Sequence, residues 1–480
     1  MASTLWGSKN PRPYRRVMSF QDPAVQRKLQ RVLIVILVIG LSLGTGLLTG
    51  GFYSQLALLA LYALLLLVVG FLYISERMHL GVLLLLFCAG FVPLSLPTGT
   101  ASRIPDSMVV AVGFVAIWII RMLVVEKRFK LVYSPANKPA LLWMVVVAIS
   151  LAWSIYFRDP QVVIWDSFPL VQAASAVLMI ALPAAYLFVG NFTNRPWVLY
   201  LMAMMMILLG ILCLGFHFVH IDLGILNNSG LMYMWAAGIS LALALFDERL
   251  WWGIRVGLAA HAAGWVVWGF FMNVSWVAGW LPGLLAMGLL VLLRSRKLVI
   301  LAIPFVIVAV YMNWDWVENR FFAERAESGV TRLEAWGVNW RITQNHFLFG
   351  TGPSGYAAYY MTYYPNSGMA THNNYLDVLA QTGLVGIFIW IWLFGAVMWQ
   401  AVRVCIRLRG RRDFFEAMAN MAMAGTLACM VIMAFGDWML PFAYTQTIAG
   451  FDYAVFNWIF MGTIVAIDRL IPENAEAVHG

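Results

Sequence analysis

Charged side chains are scarce in this chain. They make up 11% of its 480 residues, less than half of the roughly 25% found in an ordinary soluble domain, and that shortage excludes a fold whose whole surface faces water. Cysteine is rarer still. Cys88, Cys213, Cys405 and Cys429 all fall in apolar stretches without CxxC spacing, which excludes a thiolate metal site or a disulfide frame and leaves them as packing residues. The basic lead, residues 1–31, is followed by an apolar run with no clear small-residue cleavage pattern, so that run is expected to stay as a helix. The net charge of +9 comes without a basic face carrying stacking aromatics outside the apolar runs, and no nucleic-acid partner is expected.

What the chain has in abundance is hydrophobic residues, 62% of the total, with a mean hydropathy of +0.81. A helix needs about 20 apolar residues to cross a bilayer, and runs of that kind recur from Val32 nearly to the C-terminus. They predict an all-α polytopic bundle of about 12–14 spans. The expected spans are Val32–Thr49, Phe52–Ile74, Leu80–Leu96, Met108–Val125, Ala140–Tyr156, Leu170–Val189, Trp197–Val219, Leu231–Phe246, Ile254–Met272, Ser275–Leu293, Leu298–Met312, Leu384–Val404, Phe414–Phe435 and Tyr453–Ile467. With the N-terminus inside, only Arg103, Arg158, Arg320, Arg325, Arg332 and Arg341 of the 31 basic residues fall outside. That bias predicts cytoplasmic termini. The expected organisation is a basic lead (1–31), transmembrane helices (32–312), one long outside loop (313–371), further transmembrane helices (372–471) and a short inside tail (472–480).

The long loop concentrates the polar inventory, and long loops with no linker composition tend to carry function. Within "VTRLEAWGVNWRITQNH", residues 330–346, Leu333, Trp336 and Trp340 recur at helical spacing with Arg332, Asn339 and Gln344 offset, which predicts a helix lying in the membrane interface. Arg332 and Trp336 are four apart and share a face. Two readings fit: a headgroup-binding pair, or an arginine snorkelling to lipid phosphates beside an aromatic belt. Gly350, Gly352 and Gly355 permit close backbone approach to a ligand or simply reverse the chain. Tyr356, Tyr359, Tyr360, Tyr363 and Tyr364 offer a sugar-binding surface or an interfacial aromatic cluster. His372 stands at the outer N-terminus of a long helix, as a general base or as a capping residue, with Thr371 or Asn373 available to cap. Asp377 is a candidate for orienting a partner, and Gly383 and Gly386 for close helix packing.

Three motifs in order, "RLEAW" (332–336), "HFLFGTGPSGY" (346–356) and "HNNYLDVLAQTGLVG" (372–386), resemble the O-antigen ligase and polymerase superfamily. Its members carry an Arg-containing helix, a His-Pro-Leu-like stretch running into Gly-x-Gly, and a His-Asn pair before a Leu-rich helix with Gly-x-x-Gly. The likeness covers residues 332–386, and the remainder matches as a many-span hydrophobic profile. It implies a metal-independent inverting glycosyltransferase of the bacterial cytoplasmic membrane. The donor is then a glycan on a polyprenyl diphosphate and the acceptor a lipid or a saccharide, with no cofactor. His372 matches the histidine that takes the acceptor proton, and Arg332 the arginine that holds the diphosphate. Arg341, Arg325, Arg320, Arg158, Trp336, His346, Gly350, Gly352, Asn373 and Tyr375 are the further candidate substrate contacts. The chain departs from the family pattern at "NVSWVAGW" (273–280), where Ser275 is followed by Trp276 instead of a second arginine, and at Phe347, where proline is usual. A transporter is the reading from another class, but midspan charge and paired repeats, its usual marks, are missing. A scaffold resting on the basic run "RVCIRLRGRR" (403–412) ranks last, since such runs normally contact anionic lipid.

Overall fold

Apolar segments this long leave the backbone one local way to satisfy its N–H and C=O groups away from water, the α-helix, and most of the described residues are helical. The computed structural model describes residues 77–471 except 93, 98–101, 221–228, 273–276, 298–299, 301–303, 305–306, 309–310, 313, 316–329, 366, 368 and 370. The expected spans Val32–Thr49 and Phe52–Ile74, most of Leu298–Met312, and the candidates Arg320 and Arg325 lie outside the described residues, as does the Ser275–Trp276 departure.

Two compact units are distinguished, residues 1–78 with 116–130, and residues 79–115 with 131–480. In the first, Arg121–Glu126 forms a π-helical turn closed by Lys127 in the left-handed region. The second holds the candidate site. In chain order the elements are α1 (Met78–Phe91), the hairpin β1 (Ser95–Pro97) and β2 (Arg103–Pro105), α2 (Asp106–Ile120), whose residues from 116 on fall in the first unit, α3 (Asn137–Tyr156) and α4 (Phe168–Phe192), then α5 (Pro196–Phe218), α6 (Gly230–Phe246), α7 (Trp252–Val267) and α8 (Val277–Arg294). After these come α9 (Val330–Asn345), α10 (Tyr356–Tyr363), α11 (Asn374–Leu408), α12 (Phe414–Ile432) and α13 (Phe451–Leu470).

Among the described residues, seven helices are long and apolar enough to cross a membrane: 106–126, 137–156, 168–192, 196–218, 374–408, 414–432 and 448–470. The apolar windows of α4, α12 and α13 are 78–83% buried, against 39% for α3, so those three form the centre of the bundle. α13 packs on α4, α11 on both α3 and α12, and α6 on α7, α8 and α12. The start of α12 is fixed by a capping box: Asp413 accepts from Glu416 N at 3.1 Å, while the Glu416 carboxylate takes Gly410 N and Arg412 N at 3.0 and 2.6 Å.

Two expected boundaries move. The span Leu80–Leu96 ends at Phe91, because Pro93 and Pro97 cannot continue a helix, and residues 95–97 pair antiparallel with 103–105 instead. The span Leu384–Val404 begins ten residues earlier, at Asn374. The apolar run starts late, but the cap at Asn373, whose Oδ1 accepts from Tyr375 N and Leu376 N, lets polar residues occupy the first turns.

The site is positioned by a break in α11. Gly383 has φ 66° and ψ −166°, which frees neighbouring backbone groups, and these are taken up by the 347–352 segment. Leu384 N donates to Phe347 O at 2.8 Å, while Thr351 N and Gly352 N donate to Ala380 O and Gln381 O at 2.9 and 3.0 Å. Ser150 on α3 adds bonds to Gln381 O and Phe349 O. A side chain at Gly383 meets Leu348 O at 2.3 Å, and one at Gly350 meets the Gln381 backbone at 2.4 Å. Gly383 therefore admits a loop backbone and not, as the spacing suggested, a neighbouring helix.

Candidate active site

Helix α9 forms where the loop periodicity predicted it, and its two faces diverge. Leu333 and Trp340 are exposed, while Ala335, Val338, Asn339, Ile342 and Thr343 are buried against α11 and α10. Trp336 stands between the faces, and its Nε1 donates to Thr371 O at 2.7 Å. That bond joins the Arg332 helix to the residue next to His372. A second stitch follows: Thr371 Oγ1 and Tyr356 OH both donate to Asp377 Oδ1, at 2.6 and 2.7 Å, and Tyr360 OH donates to Ala335 O at 2.6 Å. α9, α10 and α11 thus meet through hydrogen bonds that leave no freedom of register.

The three residues of "HNN" take separate tasks. Asn373 caps α11 as described. Asn374, fully buried, holds the segment after α12, donating to Leu440 O at 2.8 Å and accepting from Met439 N at 2.9 Å. His372 keeps its side chain 40% exposed, and its Nδ1 lies 3.3 Å from Asp437 Oδ1, a carboxylate only 3% exposed. Asp437 also accepts from Gln446 Nε2 and Thr445 Oγ1, both at 2.9 Å. The His372 backbone has φ 45°, a left-handed conformation that few non-glycine residues adopt and that histidine, like Asn and Asp, adopts more often than most.

Asp377 was the carboxylate expected to orient a partner, and it orients Thr371 and Tyr356; the carboxylate that meets His372 is Asp437, which sequence reasoning missed. Its signal was a lone acid in "FGDWMLP" (435–441), a costly burial in so apolar a chain unless it serves a partner. The tyrosines also divide. Tyr356, Tyr359 and Tyr360 are 6% exposed or less and form an aromatic core with Val338, Ile342, Phe168 and Phe442, so they are not a sugar-facing surface. Tyr356 stacks on Phe442 at 4.3 Å, and burial, with Asp377 close, raises the Tyr356 phenol well above its ordinary range. Tyr363 remains exposed, and its OH donates to Asp159 Oδ2. That bond holds Asp159 below the usual carboxylate range and pushes Tyr363 up to about 12.

The other candidates are engaged as follows. Arg158 donates to Gln172 Oε1 at 3.3 Å and lies 5.2 Å over the Phe168 ring. Arg341 is exposed, 6.0 Å over Tyr364. Tyr375 OH donates to Met430 O at 2.7 Å. Gly352, with φ 86°, has Ser154 where its side chain would stand. The bond that ties α9 to Thr371 involves none of these residues, nor His346.

The His346 ring packs edge-on against Tyr359 at 4.7 Å. Burial lowers its pKa from the ordinary 6.5, partly offset by Asp159. Above 6.5 the imidazole is neutral in both folded and unfolded chains. As pH falls through that value the unfolded chain binds the proton first, and the fold loses stability. His346→Gln is expected to flatten the decline of melting temperature between about pH 7 and pH 5.5; slopes equal to the wild type in that interval would refute the role.

Residues 225–391 match the O-antigen ligase family model, an interval that holds Arg332, Trp336, both glycine motifs and His372 and ends before Asp437. No curated protein matches the chain significantly. With helices of spanning length on both sides of that interval, the chain is a multi-pass membrane protein whose residues 225–391 are similar to the O-antigen ligase family.

Proposed function

We propose that the chain transfers a glycan from a polyprenyl diphosphate carrier to a lipid or saccharide acceptor at the outer face of the bacterial cytoplasmic membrane. The observation that carries this reading is the half-exposed His372 backed by the buried carboxylate of Asp437, at the bond that ties the Arg332 helix to Thr371. Asp437 already accepts from a hydroxyl and an amide N–H. An ionised carboxylate is acceptor-only, so the His372 bond is read as Nδ1–H donating, which leaves the Nε2 lone pair to take a proton.

In this mechanism Nε2 removes the acceptor hydroxyl proton as the oxygen attacks the anomeric carbon. The carbon–oxygen bond to the diphosphate breaks on the opposite face, and its electron pair leaves with the phosphate. Asp437 balances the imidazolium that forms, and Arg332 balances charge gathering on the departing diphosphate. His372 then releases the proton to water. Whether the acceptor is a lipid or the end of a growing saccharide separates a ligase from a polymerase, and the motifs are common to both.

The test is reconstitution of the full-length chain in liposomes with a polyprenyl-diphosphate-linked glycan and candidate acceptors. A glycosylated acceptor with release of polyprenyl diphosphate is the expected result. Movement of solute across the vesicle without any glycosidic product overturns the reading in favour of a transporter.

A further inference from the structure

Asn339 is fully buried, yet among the described residues neither its Nδ2 nor its Oδ1 has a hydrogen-bond partner. Thr371, Asp377, Tyr356, Tyr360 and Trp336, the polar groups that stitch α9, α10 and α11 together, all have the partners described above. Its helical neighbour Thr343 spends its hydroxyl on the Asn339 backbone carbonyl at 2.8 Å, so the amide gains nothing from its own helix. A buried amide left bare in this way forfeits its hydration without return. A native chain that retains one has a further partner for it.

Position indicates which partner. Residues 332, 336, 339 and 343 follow helical spacing and lie on one face of α9. Arg332 and Trp336 are half-buried and Asn339 and Thr343 fully buried, so the face is open at the arginine and closes toward the asparagine. Arg332 also has a buried polar atom, Nε, without a partner among the described residues. The two unpaired groups stand about 10 Å apart along the helix axis, seven residues at 1.5 Å each, with the Trp336 indole between them.

The chemistry of the two groups differs. A guanidinium only donates and suits phosphate oxygens. A carboxamide donates through one atom and accepts through the other, which an anion cannot satisfy and a sugar hydroxyl can. We propose that Asn339 binds hydroxyls of the donor saccharide adjoining the diphosphate, so that one face of α9 reads phosphate at Arg332 and sugar at Asn339. The inference rests on the glycosyltransferase reading. Because the amide is covered, the contact forms as side chains shift around an entering sugar, and a saccharide lacking the matching hydroxyls leaves the amide unpaired, which makes the residue a determinant of donor specificity.

The experiment compares wild type, Asn339→Leu and the smaller Asn339→Ala in nanodiscs. It measures melting temperature, KM for the glycan-bearing lipid, and inhibition by polyprenyl diphosphate that carries no sugar. Asn339→Leu replaces an unpaired amide with an apolar group of similar size, so it is expected to melt at or above the wild-type temperature. Its KM for the glycan-lipid is expected to rise about tenfold or more, with inhibition by the bare diphosphate unchanged. Asn339→Ala gives the same split if the leucine variant does not accumulate. Unchanged KM in a folded variant, or an equal loss for both lipids, overturns the proposal and leaves Asn339 a structural residue. If the wild type neither transfers glycan nor binds the bare lipid, the glycosyltransferase reading fails, and this inference with it.

Discussion

Alanine in place of His372 is expected to lower glycan transfer by about two to four orders of magnitude, the usual contribution of a placed general base, while the chain still inserts and accumulates as the wild type does. The ring is 40% exposed and its hydrogen bond among the described residues is the one to Asp437, so little packing is lost with it. Asp437→Asn separates orientation from basicity. The amide keeps the shape and loses the charge that supports an imidazolium, so the rate falls, though less than in the alanine variant. Full activity in His372→Ala removes the base from the mechanism. Wild-type transfer in Asp437→Asn removes the dyad.

Arg332→Ala is expected to lower kcat/KM by about 10² to 10³, comparable to the loss of one preorganised donor to a developing oxyanion. Arg332→Lys restores only part of it, since an ammonium offers a point charge without the two-pronged match to phosphate oxygens. Among the described residues the guanidinium Nε has no partner, so the alanine variant is expected to melt near the wild-type temperature. A kcat/KM indistinguishable from wild type would transfer the diphosphate to another cation. Arg158 is the less suited of the described candidates, with its guanidinium held by Gln172 and Phe168.

Much of this was legible in the sequence, and the reasons differ by element. The spanning helices announce themselves because lipid permits so few alternatives, and α9 because its aromatic residues repeat with the helical period. His372 at the head of α11 was readable from the polar cluster before an apolar run. Its carboxylate partner was not: Asp437 is 65 positions away, and nothing local to either residue records a contact made by the packing of α11 against α12. The tyrosines misled for a related reason. A Tyr at i, i+3, i+4 and i+7 of a short helix looks alike whether the ring meets sugar or protein, and the choice falls to Phe442 and Phe168, which come from distant segments. The unpaired amide of Asn339 has no sequence signature at all, because an asparagine near a membrane surface is ordinary until its surroundings are known.

The interleaving of residues 347–352 with the break at Gly383 bears on how such a protein can change over time. Leu384 N binds the carbonyl of Phe347, a group that every amino acid supplies equally, so phenylalanine can occupy a place where proline is customary without loosening the joint. Main-chain geometry, held by two glycines, keeps the Arg332 arm in register with the His372 helix. Surrounding side chains are then at liberty to vary while the joint between the α9 arm and α11 is kept.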